Sequence, residues 1–227
     1  MIEVDLAQSS VRELNQRLHR IGPGDNEHYW RVVNPNGAHA IAVGLTAPVY
    51  VEIRGHVGYY CAGMNAAATV VVDGHTGTGL AENIMSGSIR VRGNAAQSVA
   101  ASGRGGLVVI EGDASARCGI SMKGVAIVVG GSVGHMSAFM GQSGTLIVCG
   151  DAGHDLGDSI YEADIFVAGK VTSLGADCIE KEVTQMDVER VAALLARAQL
   201  AADASRFRRY GSALRLYNFH IDHAAEY

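Results

Sequence analysis

The chain has 227 residues, 48% of them hydrophobic, with 29 glycines, 3 prolines and a formal net charge of −5. That composition supports a real core and argues against disorder. The negative balance removes the electrostatic case for nucleic acid or an anionic membrane, and no apolar run approaches the ~18 residues of a bilayer span.

The N-terminus lacks the apolar region of a signal peptide, which predicts a cytoplasmic protein. Ser10 and Glu13 have capping-box spacing, and Leu14 and Leu18 follow at helical spacing. This predicts a helix over 10–20, then a turn through "IGPGD" (21–25). Residues 1–33 are expected to form an N-terminal strand and helix cap.

A repeat then dominates. β-rich runs end at Gly55, Gly74, Gly93, Gly112, Gly131, Gly150 and Gly169, each 19 residues after the last. Four residues before each glycine stand Val51, Val70, Ile89, Val108, Ile127, Leu146 and Ile165. Two before stand Ile53, Val72, Val91, Ile110, Val129, Val148 and Val167. Apolar positions at period two predict one strand per unit facing a common core. Seven residues after each glycine the chain allows only Ala or Gly (Ala62, Ala81, Ala100, Gly119, Ala138, Gly157, Ala176), as a tight corner or crowded interior requires.

A unit this short cannot fold alone, so units must stack. The prediction is an all-β solenoid: a right-handed parallel β-helix of about seven coils over 34–182, with short helices at both ends. "AIAVGLTAPVYVEIRG" reads as an incomplete opening turn. Just before the repeat glycines, Arg54, Asp73, Arg92 and Glu111 alternate in sign, which predicts a ladder of neighbouring ion pairs.

Thr184 and Asp187 open a second helix over 186–203, with Val188, Val191, Leu194, Leu195 and Ala198 as its apolar stripe. Residues 183–227 are read as this helix and a tail. Arg206, Phe207, Arg208, Arg209, Tyr210, Tyr217 and Phe219 mark the tail either as a segment folded back on the solenoid or as an arm that docks on a partner.

Chemistry is sparse. The cysteines at 61, 118, 149 and 178 form no C-x-x-C pair, so metal or a cluster on this chain is not expected. Cys61 and Cys118 share a column three coils apart, about 14 Å, too far for a disulfide. His56 with His75, and His135 with His154, should stack about 5 Å apart, and each pair lacks a third metal ligand. "GHTGTG" has neither the lysine nor the following helix of a phosphate loop. Asp151, Asp155, Asp158, Glu162 and Asp164 form an acidic corner, read as a cation site, a contact for a basic partner or a solvated face. No catalytic, cofactor-binding or metal residue is assigned.

The stretches "GYYCAGMNAAATVVVDG", "AENIMSGSIRVRG" and "GHMSAFMGQSGTLIVCGDAGHDLGDSIYEADIFVAGKV" carry a resemblance. From about Asn34 to Lys181 the chain resembles the GXGXG β-helix domain of the large subunit of glutamate synthase. With its flanking helices and "RRYGSALRLYNF" tail it is most similar to the β-helix subunit, by designation the second, of N-methylglutamate synthase (methylamine–glutamate N-methyltransferase). The resemblance implies a non-catalytic scaffold subunit. An amidotransferase-like subunit and a synthase subunit carrying FMN and an iron–sulfur cluster would do the chemistry. A split glutamate synthase or a formylmethanofuran-dehydrogenase-type complex would use such a subunit too. Hexapeptide acyltransferases differ in period, and polysaccharide lyases carry an Asp, Arg and Lys cluster not found here.

Overall fold

The structure is a computed structural model and describes residues 1–22, 25 and 28–214. Within them one eleven-stranded sheet runs the length of a parallel β-solenoid of about seven turns. Strands β1 (Ile2–Asp5), β2 (Tyr29–Val33), β3 (Tyr50–Arg54), β4 (Thr69–Asp73) and β5 (Ser88–Val91) pair in sequence order, all parallel. So do β6 (Leu107–Ile110), β7 (Lys123–Val129), β8 (Ser143–Val148) and β9 (Asp164–Val167).

The register is that of the repeat. Val51 lies opposite Val70, Val70 opposite Ile89, and so on to Leu146 opposite Ile165. Both apolar columns are fully buried. A second parallel ladder, not expected, joins Val57, Thr76, Ala95, Ala114, Val133, Ala152 and Val171. Each coil therefore has two paired faces around the core.

The repeat glycines are required by close approach. From Gly93 to Gly169 each donates its N–H to the carbonyl of the repeat glycine one coil below, as Gly150 does to Gly131 at 2.8 Å. A Cβ on Gly93 would sit 2.6 Å from the Gly74 carbonyl oxygen, inside van der Waals contact.

The small-residue column is both corner and interior. Ala62, Ala81, Ala100 and Ala138 are buried and left-handed, with φ between 52° and 58°. Positions two residues either side are left-handed too, for example Ser98 and Ser102 around Ala100. A left-handed L-residue costs about 1–2 kcal/mol, and the inter-coil hydrogen bonds of this corner offset it. Ala100 N–H, for one, donates to the Leu80 carbonyl at 2.8 Å.

The ends depart from expectation in three ways. First, the sheet begins at Ile2, ahead of the expected boundary at 34, and the opening turn is complete. It is 21 residues long at the strand (Tyr29 opposite Tyr50), which hides it from a 19-residue search. Helix α1 (Val11–His19) carries the expected capping box, and Leu14 and Leu18 join Val4 and Trp30 in the core. Asn15 satisfies the first corner by donating to the Ala40 carbonyl and accepting from Ala42 N–H. Pro23 and Gly24 of the expected turn lie outside the described residues.

Second, helix α2 (Gln185–Ala198) ends earlier than expected, at a left-handed Gln199. Its 14 residues span about 21 Å, close to the ~19 Å of four strand spacings. It crosses the outer face of the sheet from β9, where Arg190 meets Asp164, to β5, where Arg90 donates to the Ala198 carbonyl. Val109, Val128, Ile147 and Phe166, which point outward, pack under Val191, Leu194, Leu195 and Ala198 as a second core.

Third, the chain after a 3-10 turn at Ala204–Arg206 returns as β11 (Arg208–Ser212). This strand inserts antiparallel between β9 and the edge strand β10 (Cys178–Lys181). Tyr210 lies opposite Ile165 and is 2% exposed; Phe207 is buried in the second core.

Candidate interaction surfaces and the disposition of reactive groups

Thiols, imidazoles and carboxylates are mostly engaged in holding the coils together. Cys61 and Cys118 are fully buried, and burial pushes both thiols up to about 12. Burial raises Cys178 to about 11 and raises Cys149 as well. A thiol held this far above neutrality supplies almost no thiolate nucleophile.

His56 and His75 do stack, with centroids 4.8 Å apart. The reason is a polar ladder one residue after each repeat glycine. His56 Nδ1 accepts from His75 N–H at 3.0 Å, and His75 Nδ1 from Asn94 N–H at 2.8 Å. Asn94, Asp113, Ser132 and Asp151 continue it, each accepting from the backbone N–H one coil above. A ring nitrogen that accepts an N–H has no lone pair left for a metal. Among the described residues no group of three or more His, Cys, Asp or Glu side chains could hold a metal ion.

The acidic corner is dispersed rather than gathered. Asp151 belongs to the ladder, and Asp158 accepts from Ala176 N–H at 3.1 Å. Asp155 lies beside the Ser173 hydroxyl, and Asp164 is held by Arg190 and Arg209 at 2.8 Å each.

The expected charge ladder forms in part. Arg92 reaches Asp73 at 3.9 Å. Arg54 turns instead to Glu52 in its own strand, and Glu111 to Arg90 at 2.7 Å. Glu52 and Arg90 sit in the next outward-facing column, where the opposite charge is nearer and better shielded. The Arg31 guanidinium, Tyr29 hydroxyl and Arg54 together hold the Glu52 carboxyl below the usual range against burial.

The tail residues divide. Phe207 and Tyr210 are core, so they cannot anchor a partner; β11 is built of this segment because its apolar side chains close the top of both cores. Arg209 is spent on Asp164 and Asp187. Arg206 and Arg208 remain exposed, and Arg208 reaches the Gly169 carbonyl. Tyr217 and Phe219 lie outside the described residues.

The larger apolar surface is elsewhere. On the left-handed corner of two successive coils, Tyr59 and Tyr60 are each 51% exposed, Met64 56% and Met85 46%. Tyr59 stacks on His39 at 4.6 Å and meets Tyr60 edge-on. Beside them is a notch of about 280 Å³ lined by Val43, Tyr60, Gly63, Met64, Glu82 and Asn83. Sequence reading missed this corner because the exposure of Tyr59, Tyr60 and Met64 is not set by the repeat, and Met85 joins them from the next coil. No helix among the described residues is long and apolar enough to cross a membrane.

No family model and no solved structure matches the chain. A curated relative, Protein GlxC of Rhizobium meliloti (strain 1021), is 63% identical over 225 residues, covering 99% of each chain. Its name does not carry the second-subunit designation expected from the sequence, which is corrected accordingly. With that identity along its whole length, the chain belongs to the GlxC family.

Proposed function

We propose that this chain is a non-catalytic scaffold subunit of a multi-subunit, glutamate-synthase-like complex. The complex we favour is N-methylglutamate synthase, which makes N-methylglutamate and ammonia from methylamine and glutamate. An amidotransferase-like subunit would supply nitrogen handling, and a subunit with FMN and an iron–sulfur cluster would supply the redox chemistry.

One observation carries the reading: 19-residue coils, whose sequence resembles the β-helix domain of glutamate synthase, stacked in register around a filled aliphatic core. Such an object is a rigid spacer that presents surfaces. Its thiols at 61, 118 and 178 are buried and its histidines at 56 and 75 are committed to the backbone ladder, which fits a supporting role.

The test is purification by a tag on the full-length chain from cells that produce it, followed by mass spectrometry. The reading expects an amidotransferase-like protein and a flavin- and iron-containing protein in fixed ratio. Molybdenum or tungsten in the complex would favour a formylmethanofuran-dehydrogenase-type assembly instead. A chain that purifies alone would count against the proposal.

A further inference from the structure

In most coils the left-handed position five residues after the repeat glycine carries a side chain: Tyr60, Ser98, Arg117, Met136 and Asp155. Gly79 is the exception, at φ 76°. A Cβ there would meet the Tyr60 ring at 2.6 Å and a Glu82 carboxylate oxygen at 3.2 Å. Gly79 thus lets the Tyr60 ring lie close against the next coil, and Tyr60 and Glu82 both line the notch with Val43, Gly63, Met64 and Asn83. Glu82 is half-buried at its rim and, among the described residues, makes no salt bridge. The carboxylates of the outer sheet face differ, for Glu52, Asp73, Glu111 and Asp164 each have a guanidinium partner.

We propose that this notch is a docking socket for an arginine side chain of a partner protein subunit. The inference rests on the scaffold reading and names one of its contact points. Apolar walls with one unpartnered carboxylate at the rim complement a side chain with an apolar stem and a cationic head. Arginine fits best, because its guanidinium also stacks on an exposed tyrosine ring and pairs a carboxylate through two N–H groups. Tyr60 is pre-ordered by Tyr59, which His39 holds in turn, so little freedom is lost on binding. The surrounding Tyr59, Met64 and Met85 supply the apolar contact that excludes water around such an anchor.

The test uses the full-length chain, purified by tag as a complex, with Glu82→Lys and Gly79→Met compared with wild type. A photo-crosslinking residue placed at Asn83, on the exposed rim, reports what occupies the notch. The proposal expects each variant to lower partner recovery at least tenfold. Glu82→Lys leaves the thermal midpoint of the isolated chain unchanged, whereas Gly79→Met lowers it, because its Cβ presses on the Tyr60 ring at a left-handed position. It expects the crosslink to join Asn83 to an arginine-containing peptide of another protein. Glu82→Gln should fall between wild type and Glu82→Lys. Unchanged recovery in both Glu82→Lys and Gly79→Met overturns the socket while leaving the scaffold reading intact. A crosslink to a second copy of this chain, or to its own residues 215–227, overturns it as well. If wild type recovers neither expected subunit, the scaffold reading fails. The crosslink still decides the socket then: an arginine peptide of another protein supports it, and none overturns it.

Discussion

Arg209 Nη2 of β11 lies 2.8 Å from the Asp164 carboxylate of β9, joining residues 45 positions apart. The same guanidinium reaches Asp187 at 3.2 Å, and Arg190 bridges Asp164 and Asp187 at 2.8 Å each. Two carboxylates and two guanidiniums thus tie β9, β11 and α2 into one closure at the end of the solenoid. Arg209→Ala leaves two partly buried carboxylates short of a partner and should cost about 2 kcal/mol. Thermal unfolding of the variant checks this.

The tail is a cap by the same geometry. Removing residues 206–227 strips β11 from the sheet, bares the edge of β9 and uncovers part of the second core. The truncated chain should unfold far below the intact one or fail to fold. Tyr210→Ala alone should cost about 3–5 kcal/mol, as for other large-to-small core changes. Denaturant titration measures both.

The left-handed column sets a sharper test. Ala100→Val adds two methyl groups to a filled interior and forces a β-branched residue to φ 52°. It should destabilise by about 3 kcal/mol or more. Ala100→Gly, which suits the backbone, should cost much less. Equal losses in the two variants would remove backbone conformation as the cause. Val129→Asp, in the strand column, should cost more than about 4 kcal/mol, because it buries an unpaired charge.

Acid sensitivity follows from two carboxyls. Glu52 is held low by Arg31, Tyr29 and Arg54. Burial alone would raise Asp187, but the Thr184 backbone N–H and hydroxyl, with Arg209 and Arg190, outweigh it. A carboxyl with a depressed folded pKa adds stability above its unfolded value, and that stability is lost as pH falls through the folded one. The thermal midpoint should therefore be flat above about pH 5 in these groups and fall below pH ~4. Replacing Glu52 by Gln should shrink that fall.

Thiol reactivity offers a further check. Cys61, Cys118 and Cys178 should resist an aromatic disulfide reagent in the native chain, with Cys149 reacting slowly. All four should react once the chain is unfolded.

Much of the fold was legible because the solenoid writes each contact into a fixed period. Val70 and Val72 could be placed as core, and Ala81 as a corner, from their columns alone. The capping boxes at Ser10 and Thr184 were equally local. What escaped was aperiodic or non-local. Tyr29 to Val33 belonged to a coil of different length. β11 pairs across more than forty residues with no repeat to announce it. The cover of α2 did leave a trace: Val109, Val128, Ile147 and Phe166 are apolar where Glu52 and Arg90 are charged. That change of composition marks where the outer face stops meeting water. Gly79 was invisible as a site, since one glycine among 29 gains meaning only beside Tyr60 and Glu82.

The most direct test of the scaffold account is the absorbance spectrum and activity of the isolated full-length chain beside those of the complex purified through it. The account predicts a colourless, inactive chain and a complex with flavin and iron–sulfur absorption that makes N-methylglutamate. A flavin or iron–sulfur chromophore on the isolated chain, or turnover by the chain alone, would contradict it.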